Sequence, residues 1–420
     1  MSADAGPGLA HRIGVGAVAT VAVVSVVSWR SGAIFDGSVD IVVIAKAVLA
    51  VAALGGALAI RIMSGRRLPV GPRSPILLAL AVGVSMLGAL ASGATTATAI
   101  VGVRIGILAA IVIVLLSCTP WPIVLGSLLG AMGAVAVVAA ATGVSSYAAT
   151  GRLAGGIPEI QENELAGLAA LPLLALIVLL FRDGITLRLA APAVVLAGIL
   201  WATQSRTALV VLAVAVVVAL LTTPRLHWTA AVAVFASVPI VYAVLAFTSL
   251  IEDVLVRDQT AAEIASLSSR TDAWQVVLDW NATSWERWIG LGLSVKQIDV
   301  DLPFRDTQVF DSSWVSVLAQ AGVLGLIVVL IWIGLAFVDA ARHPTGRFLM
   351  IPLLVLLAVR GLTENGLLDA STTFLVLATI AIAADPDSRR SPAPVTPRTT
   401  FARTPARYAS VHPNPQGATT

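Results

Sequence analysis

The sequence predicts an all-α polytopic membrane protein with about 12 transmembrane helices and one large extracytoplasmic loop. Three observations predict it. Only 12% of the 420 residues are charged, about half the share of a soluble globular chain. Residues of the AVILMFWYC set make up 58%, and the mean hydropathy is +0.95. The apolar residues also fall into a series of runs near the ~20 residues that a bilayer-crossing helix needs. This composition excludes a soluble enzyme, a disordered chain and a disulfide-framed secreted domain. Cys118 is the lone cysteine, so no intrachain disulfide, Cys-based metal site or CxxC motif exists.

The spans follow in order. The first run, 13–29, is followed at once by a second at 39–60, which marks it as a span and not a cleaved leader. Runs at 75–92, 97–117 and 121–142 come next, then a polar stretch at 143–163. Further runs lie at 164–181, 188–202, 207–221 and 229–250. A hydrophilic stretch, 251–313, interrupts the series as the large loop. Runs at 314–338, 348–361 and 366–384 complete it, so the transmembrane domain is 1–384. The remainder, 385–420, is rich in Pro, Ser, Thr and Arg and is expected to be a disordered cytoplasmic tail.

Lys and Arg orient the spans. With the N-terminus inside, fifteen basic residues and five acids fall at inner positions, against nine basic residues and eighteen acids at outer ones. Both termini are therefore expected in the cytoplasm, which an even number of spans allows. The net charge of +3 does not point to nucleic acid, because the basic residues sit in short loops between apolar runs.

The outer arginines run against the orientation rule, which makes them informative. Arg152 lies in Gly151-Arg152-Leu153, Arg206 in Gln204-Ser205-Arg206-Thr207, Arg270 in Ser268-Ser269-Arg270-Thr271, and Arg360 near Glu364 at the outer ends of the last two spans. A guanidinium fork matches phosphate and pyrophosphate oxygens. Each arginine taken singly is also consistent with pairing to a carboxylate or snorkelling to headgroups. Arg104 lies inside a span, where a charge faces a cavity or a partner. Lys46 lies near an outer helix end and reads as snorkelling.

Trp274, Val277, Leu278 and Asn281 recur at helical spacing in the large loop. That suggests either a helix lying on the membrane interface or an indole face for stacking sugar. Gly290-Leu291-Gly292 predicts a turn. Asp311-Ser312-Ser313-Trp314 opens a span, so Asp311 reads either as part of a helix cap or as a base facing the outer cavity. His11, His227 and His343 fall at inner positions and His412 in the tail, so the outer face holds no histidine to act as base or metal ligand.

Taken in order, these fragments resemble the O-antigen ligase and polymerase family of bacterial cell-surface polysaccharide assembly. The resemblance covers about 75–384. It rests on Gly151-Arg152-Leu153 with Asn163-Glu164-Leu165-Ala166, Ser205-Arg206-Thr207-Ala208, Ser269-Arg270 with Trp274, and Gly290-Leu291-Gly292. Asp311-Ser312-Ser313-Trp314, Ala321-Gly322-Val323-Leu324-Gly325 and Leu362-Thr363-Glu364 complete it.

The resemblance implies a GT-C-like fold in the bacterial cytoplasmic membrane. It implies a metal-independent, inverting glycosyltransferase that uses no cofactor. The implied donor is an undecaprenyl-pyrophosphate-linked glycan, and the acceptor a hydroxyl of a glycan or other cell-envelope molecule outside the membrane. Arg206 and Arg270 would hold the pyrophosphate with help from Arg152; Arg104, Arg360 and Trp274 are further substrate-binding candidates. Asp311 or Glu364 would be the base. Where lipid A ligases of the family carry a histidine, this chain has Asp311, so a polymerase or a ligase to another acceptor fits better. The rival reading is a polytopic transporter or lipid-linked glycan flippase.

Overall fold

The computed structural model describes residues 8–30, 40–224, 226–232, 273–302 and 305–389. Helices α1 (Leu9–Val26), α2 (Ile41–Ser64), α3 (Arg73–Ser92), α4 (Thr95–Leu116) and α5 (Trp121–Thr142) open the bundle. A short helix, α6 (Val144–Thr150), sits in the predicted polar stretch and precedes α7 (Glu162–Asp183), α8 (Leu187–Ala202) and α9 (Arg206–Thr222). After the large loop come α11 (Ser313–Ala341), α12 (Arg347–Arg360) and α13 (Thr372–Ala384).

Among the described residues, seven helices are long and apolar enough to cross a membrane: α1 to α5, α7 and α11. Helices α8, α9 and α13 are shorter and apolar. Most of the run at 229–250 lies outside the described residues, as do Arg270 and the tail beyond Arg389. The protein is a multi-pass membrane protein.

The large loop departs from the all-helical expectation. Its described part holds α10 (Trp285–Ile289) and an antiparallel hairpin of β1 (Gln297–Leu302) and β2 (Arg305–Val309). The alternation of Ile298, Val300 and Leu302 with polar residues carries that period-2 signal, masked in the sequence by the acids around it. The helix expected around Trp274 is present over 273–278. Val277, Phe310 and Ala319 form a small apolar core that seats the loop on α11.

Packing is tightest around α13, all of whose residues are buried. At 13 residues it rises only about 20 Å, well short of the ~30 Å hydrocarbon thickness. The irregular segment 361–371 leads into it from the loop end of the bundle. Non-helical backbone so close to the membrane is tolerated where protein buries it or where it lines a polar cavity. Both conditions hold here.

The opposite end of the bundle, called the tail end below, is tied by polar contacts. His11 Nε2 and Thr119 Oγ1 are 2.8 Å apart, and Gly71 N–H donates to Ser388 Oγ at 2.7 Å. Arg73 lies 3.4 Å from Asp339 and 3.6 Å from Asp385, and Arg389 donates to the Asp339 carbonyl at 2.8 Å. The start of α1 and the end of α13 therefore share one end. Asp385–Arg389, assigned to the tail by sequence, forms an ordered turn against the bundle. Its contacts explain this, since Ser388 and Arg389 close carbonyls left open at the end of α13.

Candidate functional site

At the other end, called the loop end, a polar cavity of about 340 Å³ opens between the bundle and the loops. Its ionisable lining is Lys46, Arg104, Glu164, Arg360, Lys296, Asp311, Glu364 and Asp369. Two walls of opposite charge result. The helices contribute Lys46 from α2, Arg104 from α4, Glu164 from α7 and Arg360 from α12, three cations against one carboxylate. The loops contribute Lys296, Asp311, Glu364 and Asp369, three carboxylates against one cation.

Each group has a local reason to be where it is. Glu164 lies in the first turn of α7, where the helix dipole favours a carboxylate, and accepts the Ser28 N–H at 2.9 Å. Arg360 ends α12, where a cation suits the helix C-terminus. Its guanidinium donates to the Asn163 carbonyl at 3.0 Å and contacts Thr373 Oγ1 at 3.4 Å. It is only 9% exposed and lies flat against Gly167 of α7, where any side chain would collide with it.

The hairpin delivers the loop wall. Gln297 pairs with Val309 at its open end, and Phe310 N–H donates to the Lys296 carbonyl at 3.0 Å. Lys296 and Asp311 therefore flank the same end of the hairpin. Lys296 Nζ sits 2.8 Å from Asp369 Oδ2. Burial pushes the Asp369 carboxyl up, but the Lys296 ammonium and the Ala370 N–H together outweigh it and hold it below the usual carboxylate range.

Ser312 is the N-cap residue of α11, with no side-chain cap bond. Its Oγ donates instead to the Gly361 carbonyl at 3.2 Å. Asp311 stands just before the cap, in the cavity wall.

Two glycine fragments seat the loop. Gly322 breaks α11 with φ 64° and ψ −169°, a conformation reserved for glycine. A Cβ there would strike the backbone of Trp288 and Ile289. Gly290, with φ 72°, lies against the Gln320–Ala321 backbone, and Gly292 N–H donates to the Gln320 carbonyl at 3.0 Å. The predicted turn and the Ala321–Gly325 stretch are two halves of one close backbone contact.

The remaining expected residues lie apart. Arg152 is 4.0 Å from Glu162, and its Nε is buried without a hydrogen-bond partner. The Leu153 N–H donates to the Ala202 carbonyl at 2.9 Å, which sets the Arg152 turn against the α8–α9 turn carrying Arg206. Helix α9 packs on α12, with Arg206 as its first residue. Trp274 is half-buried and is not part of the cavity lining. Arg270 lies outside the described residues. Sequence reasoning missed Lys296 and Asp369 as site residues. It took Lys46 as snorkelling and left Glu164 in a motif without a role. Among the described residues, no cluster of three or more His, Cys, Asp or Glu is arranged to hold a metal ion.

Residues 191–330 match the family model for O-antigen ligase. That third of the chain is similar to O-antigen ligases. The matched segment runs from α8 through the large loop into α11 and takes in Arg206, Arg270, Trp274 and Asp311. The helices that bring Arg104, Glu164 and Arg360 to the cavity lie outside it. A match to O-antigen ligase on a multi-pass bundle supports a ligase- or polymerase-type membrane enzyme of polysaccharide biosynthesis. No curated protein matches the chain closely enough to count as a relative.

Proposed function

We propose that the chain is an inverting glycosyltransferase that moves glycan from an undecaprenyl-pyrophosphate carrier to an acceptor hydroxyl, as a polysaccharide polymerase or O-antigen-ligase-like enzyme. The loop end would face outward, with both termini in the cytoplasm, as the distribution of Lys and Arg favours. The observation that carries this reading is the division of charge across the cavity. The helix wall supplies three cations for an anionic leaving group. The loop wall supplies carboxylates for a proton.

The pyrophosphate binds along the helix wall, where Arg104, Arg360 and Lys46 neutralise it in a site with little competing water. Arg206 and Arg152, on adjoining turns, and Arg270 guide the carrier in. An acceptor hydroxyl enters from the loop side. Its oxygen attacks the anomeric carbon as the bond from that carbon to the pyrophosphate oxygen breaks, and the bonding pair leaves with the pyrophosphate. Asp311, or Glu364 beside it, takes the hydroxyl proton. Arginine charge and an already activated leaving group leave no step that requires a nucleotide or a metal.

The test is transfer in nanodiscs, with a pyrophosphate-linked oligosaccharide and an acceptor and no nucleotide. New glycosidic product with wild type, and a loss of at least about a hundredfold in Arg360→Ala and Arg206→Ala, is the expected result. Leaflet exchange of the glycolipid without product would overturn it in favour of a flippase.

A further inference from the structure

A second and quite different recess lies on the lipid-facing side of α5, α7 and α8. It is a groove of about 910 Å³, closed toward the tail end by the start of α12. Gly126, Gly130 and Gly133 form its floor, and Pro172 and Pro192 stand in its walls. A side chain added at Gly126 or Gly130 would meet nothing within 4 Å. The described residues therefore leave this space unfilled, and the rim continues into the exposed Val138 and Val195.

The groove has a charged mouth at the tail end. Arg182 lines it, with its guanidinium carbon 4.7 Å from the centre of the Phe348 ring and its Nε 3.2 Å from Asp183. Arg182 remains 53% exposed, so its outer face is open to a ligand. Arg188, one turn before the lining Pro192, and Arg347, directly before the lining Phe348, are also exposed. Thr345 joins the lining.

We propose that this groove binds an anionic glycerophospholipid of the tail-end leaflet, with an acyl chain on the glycine floor and the phosphate at Arg182. Charge complementarity selects an anionic head, and basic pockets between spans are the usual receptors for such heads. The length suits an acyl chain. The groove follows α7 from Pro172 to Arg182 and α5 from Trp121 to Val138, about 15 Å and about 26 Å of helix. The glycan carrier does not fit the same position. Glu164 of the cavity and Arg182 are 18 residues apart on α7, about 27 Å. A lipid with its phosphate at Arg182 has its charged group a bilayer away from the cavity. The occupant is a resident lipid that fills the seam between α5, α7 and α8, and its binding does not depend on the proposed reaction.

Native mass spectrometry of the full chain in detergent tests this, with phosphatidylglycerol and phosphatidylcholine added in turn. Wild type is expected to retain phosphatidylglycerol in preference. Arg182→Ala is expected to lower that occupancy about fivefold. Gly130→Leu places a side chain in open space and is expected to remove adducts of both lipids while the circular dichroism stays that of wild type. Equal retention of the two lipids by wild type would overturn the proposal. So would unchanged phosphatidylglycerol adducts in both variants, or preferential retention of a polyprenyl phosphate.

Discussion

Ser313 fastens the start of α11 to Glu364. Its Oγ donates to the Glu364 carbonyl at 2.7 Å, its own N–H reaches the carbonyls of Gly361 at 2.8 Å and Glu364 at 3.2 Å, and its Oγ accepts the Leu367 N–H at 3.3 Å. This serine joins two segments that are far apart in sequence. Asp311, just ahead of α11, and Glu364, just beyond α12, thereby come to one cavity wall.

Ser313→Ala removes the donor to Glu364 and leaves the buried Leu367 N–H without its acceptor. An unsatisfied buried group of this kind costs about 1–3 kcal/mol. The expected outcome is a lower unfolding temperature together with a fall in kcat, since the segments that carry Asp311 and Glu364 lose their tie. Ser313→Thr keeps the hydroxyl and should recover most of kcat. Full activity in Ser313→Ala would show that the tie does not position the wall.

Gly167 is where the helix wall is most sensitive. The Arg360 guanidinium occupies the space a Cβ would take, and its bonds to Asn163 and Thr373 hold it there. Gly167→Ala displaces the guanidinium and not the backbone, so the bundle should keep its thermal stability to within about 1 kcal/mol. Glycan transfer should fall about as far as in Arg360→Ala. Wild-type transfer by Gly167→Ala would remove Arg360 from the site.

The two walls were legible in the sequence to different degrees. Arg104 announced itself, because a charge within an apolar run is too costly to keep unless it faces a cavity or a partner. Asp311 and Glu364 stood at predicted span boundaries, where the helix ends are in fact found. Lys296 and Asp369 gave no such signal. Lys296 lies in a polar stretch and Asp369 at the start of the run 366–384, and only the hairpin register and the fold of 361–371 bring them within 2.8 Å. Lys46 sits near a helix end, so its pattern is that of a snorkelling lysine, and only its neighbours Arg104 and Glu164 set it apart. The close fit of Gly290–Gly292 against Gly322 was present as two glycine fragments, but contact between distant fragments is not a property of either one.

Breaking α11 at Gly322 points its first turns at the cavity. Gly322→Ala forces a side chain into a backbone region that costs about 1–3 kcal/mol for other residues, and into the backbone of Trp288. The 288–292 turn should be pushed off α11. Limited proteolysis should then cut the large loop faster than in wild type. An unchanged digestion pattern would show that the turn does not depend on the break.

The Lys296–Asp369 pair gives the loop wall an acid limit. The folded Asp369 carboxyl lies below its unfolded value, which is about 3.9. Its contribution to stability is therefore complete above that value and is lost as pH falls through the lower, folded value. Lys296→Met removes the ammonium and lets burial raise the carboxyl, so the acid loss of stability should begin at higher pH. Melting curves between about pH 7 and pH 3 in nanodiscs read this directly. Superimposable curves for wild type and variant would mean that the pair does not hold the loop.

The two candidate bases, Asp311 and Glu364, sit on differently tied backbone segments. Asp311 is fixed from one side by the buried Phe310 and from the other by Ser312 and Ser313, whose hydroxyls reach the carbonyls of Gly361 and Glu364. Glu364 stands just beyond α12, and its carbonyl accepts from Ser313. A general base needs a fixed position within hydrogen-bond reach of the proton it takes. Asp311→Asn is therefore expected to lower kcat by about a hundredfold or more, with carrier binding unchanged. Glu364→Gln is expected to raise KM for the acceptor with a smaller effect on kcat. The pH–rate profile separates the two roles. The acid limb of kcat should persist in Glu364→Gln and disappear in the residual activity of Asp311→Asn. An acid limb lost with Glu364 and kept with Asp311 would exchange the assignments.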